Sequence, residues 1–264
     1  MRVAPNQTRF TTIESLCQTM NVDIWFLTET HKDLVPKAEY FSCFSGVPDR
    51  ESKPGEKWSA IWSRWPMEAL EGYVSDPARC VAGRIPTTPF GEMIIYGTVL
   101  PWNTDPRAKM TGSYEAFAKA LAVQKSDWLK LQRDFPNAML IVAGDFNQGL
   151  VDRHYYGSKK KQCLLESAFK ECHLSPLTAG ASDPIDRDSF PRANIDHICI
   201  ASQGEWGVAE TRRWPCSKVP DKSLSDHFGV SAKLRFSEPM YGSMSYLSVC
   251  SPPKANDRSD SPER

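Results

Sequence analysis

The chain has 264 residues, with 32 Lys and Arg balanced by 32 Asp and Glu, so its formal net charge is zero. That balance excludes a global basic field that would draw the molecule onto nucleic acid and leaves room only for a local basic groove. Hydrophobic residues at 41% suffice for a substantial core, yet no run reaches the roughly 18 apolar residues of a membrane span.

The predicted elements follow in chain order. Thr12 to Met20 fits a short amphipathic helix with Ile13, Leu16, Cys17 and Met20 on one face. Asp23-Ile24-Trp25-Phe26-Leu27 reads as a buried strand that ends near Glu29. Residues 31–57 are polar, with Pro48-Asp49-Arg50 and Pro54-Gly55 as turn signals. Trp58 to Trp65, Arg79 to Ile85 and Glu92 to Leu100 read as strands, the last two joined by a hairpin turn over 86–91. Ser113 to Phe135 is the longest helical pattern, and Pro136-Asn137 stops it. Ala138 to Ala143 is a buried strand, Gln162 to Cys172 a helix, and Gly180 to Asn194 a long loop carrying Asp183, Asp186 and Asp188. Two further apolar runs follow, Ile198 to Ala201 and Phe228 to Leu234. After Phe236 the periodicity fades. The expected organisation is one domain over 1–236 and a tail over 237–264, whose last part has a disordered composition. The eight cysteines are scattered without a CxxC pair and read as buried thiols in a reducing compartment. No apolar stretch follows Met1, so the cytoplasm is the expected location.

The chemistry gathers at strand ends. Gly144 closes the strand at 138–143, and Asp145 and Asn147 follow two residues apart, a spacing that sends both to one side of an extended chain. Asn194-Ile195-Asp196-His197 opens the next apolar run, and Ser225-Asp226-His227 opens the last. With Glu29, four strand termini carry Glu, Asp/Asn, Asp and Asp/His. Those residue types suit a hard divalent cation and a proton-transfer pair.

Six segments carry a family resemblance: DIWFLTET (23–30), SAIWSRWPM (59–67), MIIYGTVLPW (93–102), IVAGDFNQ (141–148), NIDHICI (194–200) and LSDHFGVSAKL (224–234). Together they resemble the endonuclease/exonuclease/phosphatase superfamily over about residues 8 to 236. The resemblance implies an α/β fold, a four-layer α-β-β-α sandwich of two mixed sheets of DNase I-like type. It implies a phosphoesterase using Mg²⁺, with Mn²⁺ as an alternative. Glu29 would bind the metal and Asp226 would lie near it. The residue matching Asp145 orients or deprotonates the attacking water, or protonates the leaving group, and Asn147 holds that acid and the phosphate. His227 would contact phosphate, either as electrostatic stabiliser or as proton-transfer partner, with Asp196 fixing its tautomer. His197, next to Asp196, points the other way by strand alternation and reads as structural.

Two departures stand out. The superfamily begins with a strand bearing an Asn, which here would fall at about Arg2, so the sandwich is expected to lack its first strand. Asn6 is either a substitute or part of a turn. Some branches carry His where this chain has Val99, leaving Trp102 and Asn103 as the nearest substrate-binding candidates: Asn103 for a phosphate oxygen, Trp102 for stacking on a base or capping the core. Lys159-Lys160-Lys161 beside Tyr155-Tyr156 is either a grip on a nucleic-acid backbone or a solvated helix start. Arg50, Lys53, Lys57 and Arg64 offer another rim. The reading is a monomeric nuclease or phosphodiesterase acting on a phosphodiester of DNA or RNA without a membrane partner. The alternative is a catalytically weak scaffold of the same fold.

Overall fold

Two groups of strands, the central ones buried on both faces, generate the architecture. The structure is a computed structural model and describes residues 8–150, 156–187, 193–202, 206–214, 228–237 and 244–251. In chain order the elements are α1 (Thr8–Thr19), β1 (Ile24–His31), β2 (Phe41–Phe44), β3 (Glu56–Ser63), β4 (Glu68–Ala69), β5 (Val81–Ile85), β6 (Met93–Val99), α2 (Pro106–Thr111), α3 (Ser113–Asp134), β7 (Met139–Asp145), α4 (Lys159–Glu171), β8 (Ser175–Pro176), α5 (Pro184–Arg187), β9 (Asp196–Ala201), β10 (Trp206–Trp214), β11 (Gly229–Ser237) and β12 (Met244–Ser251).

Among the described residues, each of two sheets has six strands. The first runs β10-β11-β12-β1-β3-β2 and the second β4-β5-β6-β7-β9-β8. Both are mixed: β1 is parallel to β12 and β6 is parallel to β7, while the other pairs are antiparallel.

The two-residue period splits each strand between two cores. Ile24 and Phe26 of β1, Met139, Ile141 and Ala143 of β7, and Ile198 and Ile200 of β9 fill the space between the sheets. Leu140 and Val142 of β7 face Phe117, Leu121, Trp128 and Leu131 of α3 and Leu165 and Phe169 of α4. Trp25 and Leu27 of β1 pack under Phe10, Ile13 and Cys17 of α1. The result is the α-β-β-α sandwich that the sequence led us to expect. The hairpin over 86–91 is present, closing on the Ile85↔Met93 pair.

The segment beyond Phe236, expected as a tail, contributes β12. This strand lies inside the first sheet, between β11 and β1. It pairs parallel with β1 through Ile24↔Val249 and Trp25↔Cys250, and antiparallel with β11 from Val230↔Ser251 to Ser237↔Met244. Leu247 and Val249 enter the inter-sheet core and Cys250 the core under α1. The place beside β1 is therefore filled by a strand from beyond residue 243. Asp23 reinforces the junction: its N–H donates to Ser248 O at 2.9 Å, and its carboxylate accepts from Ser248 N at 2.8 Å. Asn6, the proposed substitute for the superfamily Asn, lies outside the described residues.

The seven described cysteines are free, and six are buried; Cys163 is exposed on α4, against the expectation that it is buried. No described helix is long and apolar enough to cross a membrane.

Candidate active site

β7 ends against β6 so closely that only glycine fits. A Cβ on Gly144, whose φ is +139°, would lie 2.1 Å from the Thr98 carbonyl oxygen. The chain then bends at Asn147, which adopts φ +50°. That bend brings the Asn147 N–H to Asp145 Oδ1 at 2.8 Å and the Asn147 amide nitrogen to Asp145 Oδ2, also at 2.8 Å. The same amide nitrogen donates to Leu100 O at 2.8 Å, while Leu100 N donates to Asp145 O at 2.9 Å. Asp145 and Asn147 therefore meet as the sequence spacing implied, through a left-handed turn rather than a continued strand. Both are buried.

Asp196 stands directly opposite Asp145 in the β7–β9 register and is also buried. Ala143 and Ile198 face the other sheet, and the period of two sets Asp145 and Asp196 on that same side, at the ladder's end. The intervening His197 faces the helices. Its Nε2 lies 3.0 Å from Gln148 O and its ring packs on Phe146, with centroids 5.7 Å apart. Burial pushes its pKa down from 6.5 to about 4, so it is neutral near pH 7.

Glu29 comes from the first sheet. It is half-buried near the end of β1 and adopts φ +48°. The β1–β3 register passes from Thr28↔Ser59 to Thr30↔Lys57 and skips it. Among the described residues, three that are not glycine have positive φ: Glu29, Asn147 and His173. His173 follows the helix-ending Cys172, where a left-handed residue is ordinary. The other two are candidate site residues, and such a conformation costs about 1–3 kcal/mol that the surroundings must offset. Asp226 and His227 lie outside the described residues, immediately before Phe228 and β11.

The loop after β6 forms the rim. Val99 is buried and pairs in register with Asp145. Trp102 is half-buried with its ring 5.6 Å from that of Trp58. The guanidinium of Arg50 sits 4.1 Å over Trp58, and that of Arg79 lies 4.9 Å from Trp58 and 5.7 Å from Trp102. Beneath them runs an ion-pair network that sequence reasoning missed. Arg79 makes a buried two-pronged contact with Asp105 at 2.7 and 3.1 Å and reaches Asp49 at 3.1 Å. Arg107 joins Asp49 and Asp76, both at 2.6 Å. Burial works to raise the Asp49 pKa, but the Arg79 and Arg107 guanidiniums outweigh it and hold the carboxyl below its usual value. These five residues come from three separate segments, around 49, 76–79 and 105–107. The one local signal was Asp105-Pro106, which caps α2 through Arg107 N at 2.8 Å.

The other basic candidates separate. Arg64 pairs with Asp23 at 3.0 Å, at the start of β1 and away from Glu29, so it does not belong to this rim. Lys57 donates to Gly46 O at 3.3 Å, and burial followed by the nearby Lys32 lowers its pKa. Lys159 and Lys160 are exposed, whereas Lys161 is buried. Among the described residues no cluster of three or more His, Cys, Asp or Glu side chains assembles to hold a metal. Magnesium needs only one or two protein carboxylates, so a set of Glu29 and Asp226 fits its donor chemistry.

A profile of the endonuclease/exonuclease/phosphatase family matches residues 2–227. The chain belongs to that family. Members of the endonuclease/exonuclease/phosphatase family are hydrolases of phosphoester bonds. The family match ends at His227, so β12 lies beyond it. Among solved structures, the chain is similar to the catalytic domain of APE2 from Xenopus laevis, at 14% identity and TM-score 0.54, over 96% of this chain and 92% of that one. It is similar to a family protein from Bacteroides thetaiotaomicron at 18% identity and TM-score 0.53, over 78% of each chain. It is also similar to the endonuclease domain of TRAS1, a telomere-specific non-LTR retrotransposon, at 14% identity and TM-score 0.50, over 79% of this chain and 87% of that one. At these identities the likeness is one of fold. Among curated proteins none matches the chain by sequence.

Proposed function

We propose that this protein is a Mg²⁺-dependent phosphodiesterase acting on nucleic acid, with Mn²⁺ able to replace Mg²⁺. The observation that carries the reading is the buried Asp145–Asn147 pair, with Asp196 opposite it on β9. Asn147 donates to both carboxylate oxygens of Asp145, which fixes the acid to hold a water or pass a proton at one position. Asp196 orients the His227 imidazole, which contacts a phosphoryl oxygen. Glu29 and Asp226 hold the metal, which when bound neutralises phosphoryl charge and lowers the pKa of a bound water. Asn103 donates to the phosphate, and Trp102, backed by Trp58 and Arg79, offers a face on which a base can stack. A nucleic-acid substrate is favoured by that aromatic rim and by one fold neighbour, which is an endonuclease domain. We place the activity in the cytoplasm and in the monomer.

The test is turnover of bis-p-nitrophenyl phosphate, supercoiled plasmid and an abasic duplex in Mg²⁺ or Mn²⁺. EDTA-sensitive cleavage of the plasmid or the duplex is expected; cleavage of the small diester alone would move the substrate away from nucleic acid. A second reading, a catalytically weak scaffold, is favoured by one observation. The strand paired in parallel with β1 is β12, and its sequence MSYLSVCS brings no Asn. Folded protein with no EDTA-sensitive turnover on any of the three substrates would favour the scaffold.

A further inference from the structure

Lys161 occupies an unfavourable place. It lies in the first turn of α4, at the positive end of the helix dipole, and is only 1% exposed. Its Nζ donates to two neutral oxygens, Asn103 Oδ1 at 2.9 Å and Ser113 Oγ at 2.6 Å. The Ser113 hydroxyl also contacts Asn103 Oδ1, at 3.0 Å. The Phe117 ring lies 5.2 Å from the ammonium. Burial lowers the lysine pKa, and the buried Asp105 carboxylate works in the other direction. A buried ammonium without a direct anionic partner contributes little to stability, and an apolar residue of similar volume often does as well.

The consequence falls on Asn103. A lysine ammonium only donates, so the amide of Asn103 must turn its oxygen toward Lys161. That leaves the NH₂ group of an exposed side chain as the end available to a ligand. The loop bearing it is fastened on both sides. Asn147 holds it at Leu100, and Asp105 holds it through the buried pair with Arg79. We infer that Lys161 is a positioning residue: it locks the Asn103 amide so that its NH₂ is presented to a phosphoryl oxygen beside Asp145. This deepens the proposed function and rests on it for the nature of the ligand.

The experiment is a double-mutant cycle on the full chain in Mg²⁺, with Lys161→Met, Asn103→Ala and the double variant. Turnover of bis-p-nitrophenyl phosphate is read together with the side-chain amide NMR signal of Asn103 during titration with inorganic phosphate. Lys161→Met should raise KM about tenfold and change kcat less than about threefold, the pattern of a lost ground-state contact. Its melting temperature should equal or exceed that of the wild type. Asn103→Ala should match it, and the double variant should be no worse than either. Phosphate should shift the Asn103 amide signal in the wild type and not in Lys161→Met. Losses that add in the double variant, or an Asn103 amide indifferent to phosphate in the wild type, would overturn the inference while leaving a turnover-based function intact. A Lys161-dependent phosphate shift without turnover on any substrate would do the reverse. Should Lys161→Met fail to fold, Ser113→Ala removes the other contact to the same oxygen and must raise KM and weaken the shift in the same sense. An unchanged KM and shift in that variant would also overturn it.

Discussion

The second sheet brings its share of the site through one short ladder, whereas the first depends on segments from opposite ends of the chain. Val99, Asp145 and Asp196 are register partners on β6, β7 and β9, and Asn147 ties Asp145 to Leu100 within the same cluster. On the first sheet, Glu29 projects from β1 in a strained backbone, and β1 is flanked by β12, a strand from beyond residue 243. One half is densely bonded and drawn from the middle of the chain. The other depends on long-range closure, which carries a larger ordering cost and gives a weaker sequence signal.

Removing β12 is the strongest way to break that contrast. Ending the chain at Ser237 strips the partner from β1 and β11 and deletes three fully buried apolar side chains, Leu247, Val249 and Cys250. Leu and Val alone contribute about 3–6 kcal/mol by burial, a large share of the roughly 5–15 kcal/mol that holds a domain together. The shortened chain should lose cooperative unfolding and aggregate through the exposed edges. A sharp thermal transition within a few degrees of the full chain would mean that β12 is peripheral.

Next in size come the proton-transfer candidates. Asp145→Asn and His227→Ala should each reduce turnover by about 10²–10⁴-fold, the range of a positioned general acid or base. Asp196→Asn should reduce it less, because the imidazole remains and only its orientation suffers. Rates for all three on one substrate at saturating Mg²⁺ test the ranking. A wild-type rate in Asp145→Asn would remove the second sheet from the chemistry.

The same contrast explains what could be read from residue order. The β7 strand and its Gly144-Asp145-Phe146-Asn147 end were legible because every residue of the strand is buried and a glycine marks its close. The Asp145–Asn147 contact was legible in outcome but not in geometry, because positive φ at a non-glycine residue leaves no compositional trace. β12 was not legible. Its serines at 245, 248 and 251 dilute the apolar alternation, and Tyr246 is 43% exposed. Lys161 was read only within a lysine run, where solvation is the ordinary outcome, and nothing local distinguishes it from the exposed Lys159 and Lys160. The Asp49, Asp76, Arg79, Asp105 and Arg107 network arises when distant loops converge, so it becomes visible only in three dimensions.

Glu29 probes the first sheet without dismantling it. Glu29→Gln should weaken Mg²⁺ binding and turnover but leave the fold intact, since its side chain is not part of a packed core. Glu29→Gly should weaken metal binding likewise and also relieve the positive φ, raising stability by up to about 1 kcal/mol. Calorimetric titration with Mg²⁺ and a urea series separate the two effects. Unchanged Mg²⁺ affinity in both variants would exclude Glu29 as a ligand.

The smallest effect on activity belongs to His197, and its signature is in pH rather than rate. Its ring is on the helix side of β9, so His197→Gln, which keeps a donor for Gln148 O, should leave turnover close to wild type. Its folded pKa of about 4 lies below the ordinary value of 6.5. Between those values the unfolded chain binds a proton that the folded chain refuses, so stability rises with pH across that window. The contribution is complete above about pH 6.5. It is lost as pH falls toward 4, at about 1.4 kcal/mol per unit and about 3 kcal/mol in all. Urea midpoints measured from pH 7.5 to 4.5 should therefore fall less steeply in His197→Gln than in the wild type. Equal slopes would mean that His197 already titrates in the folded protein, and a large loss of turnover would place its ring in the site with Asp196.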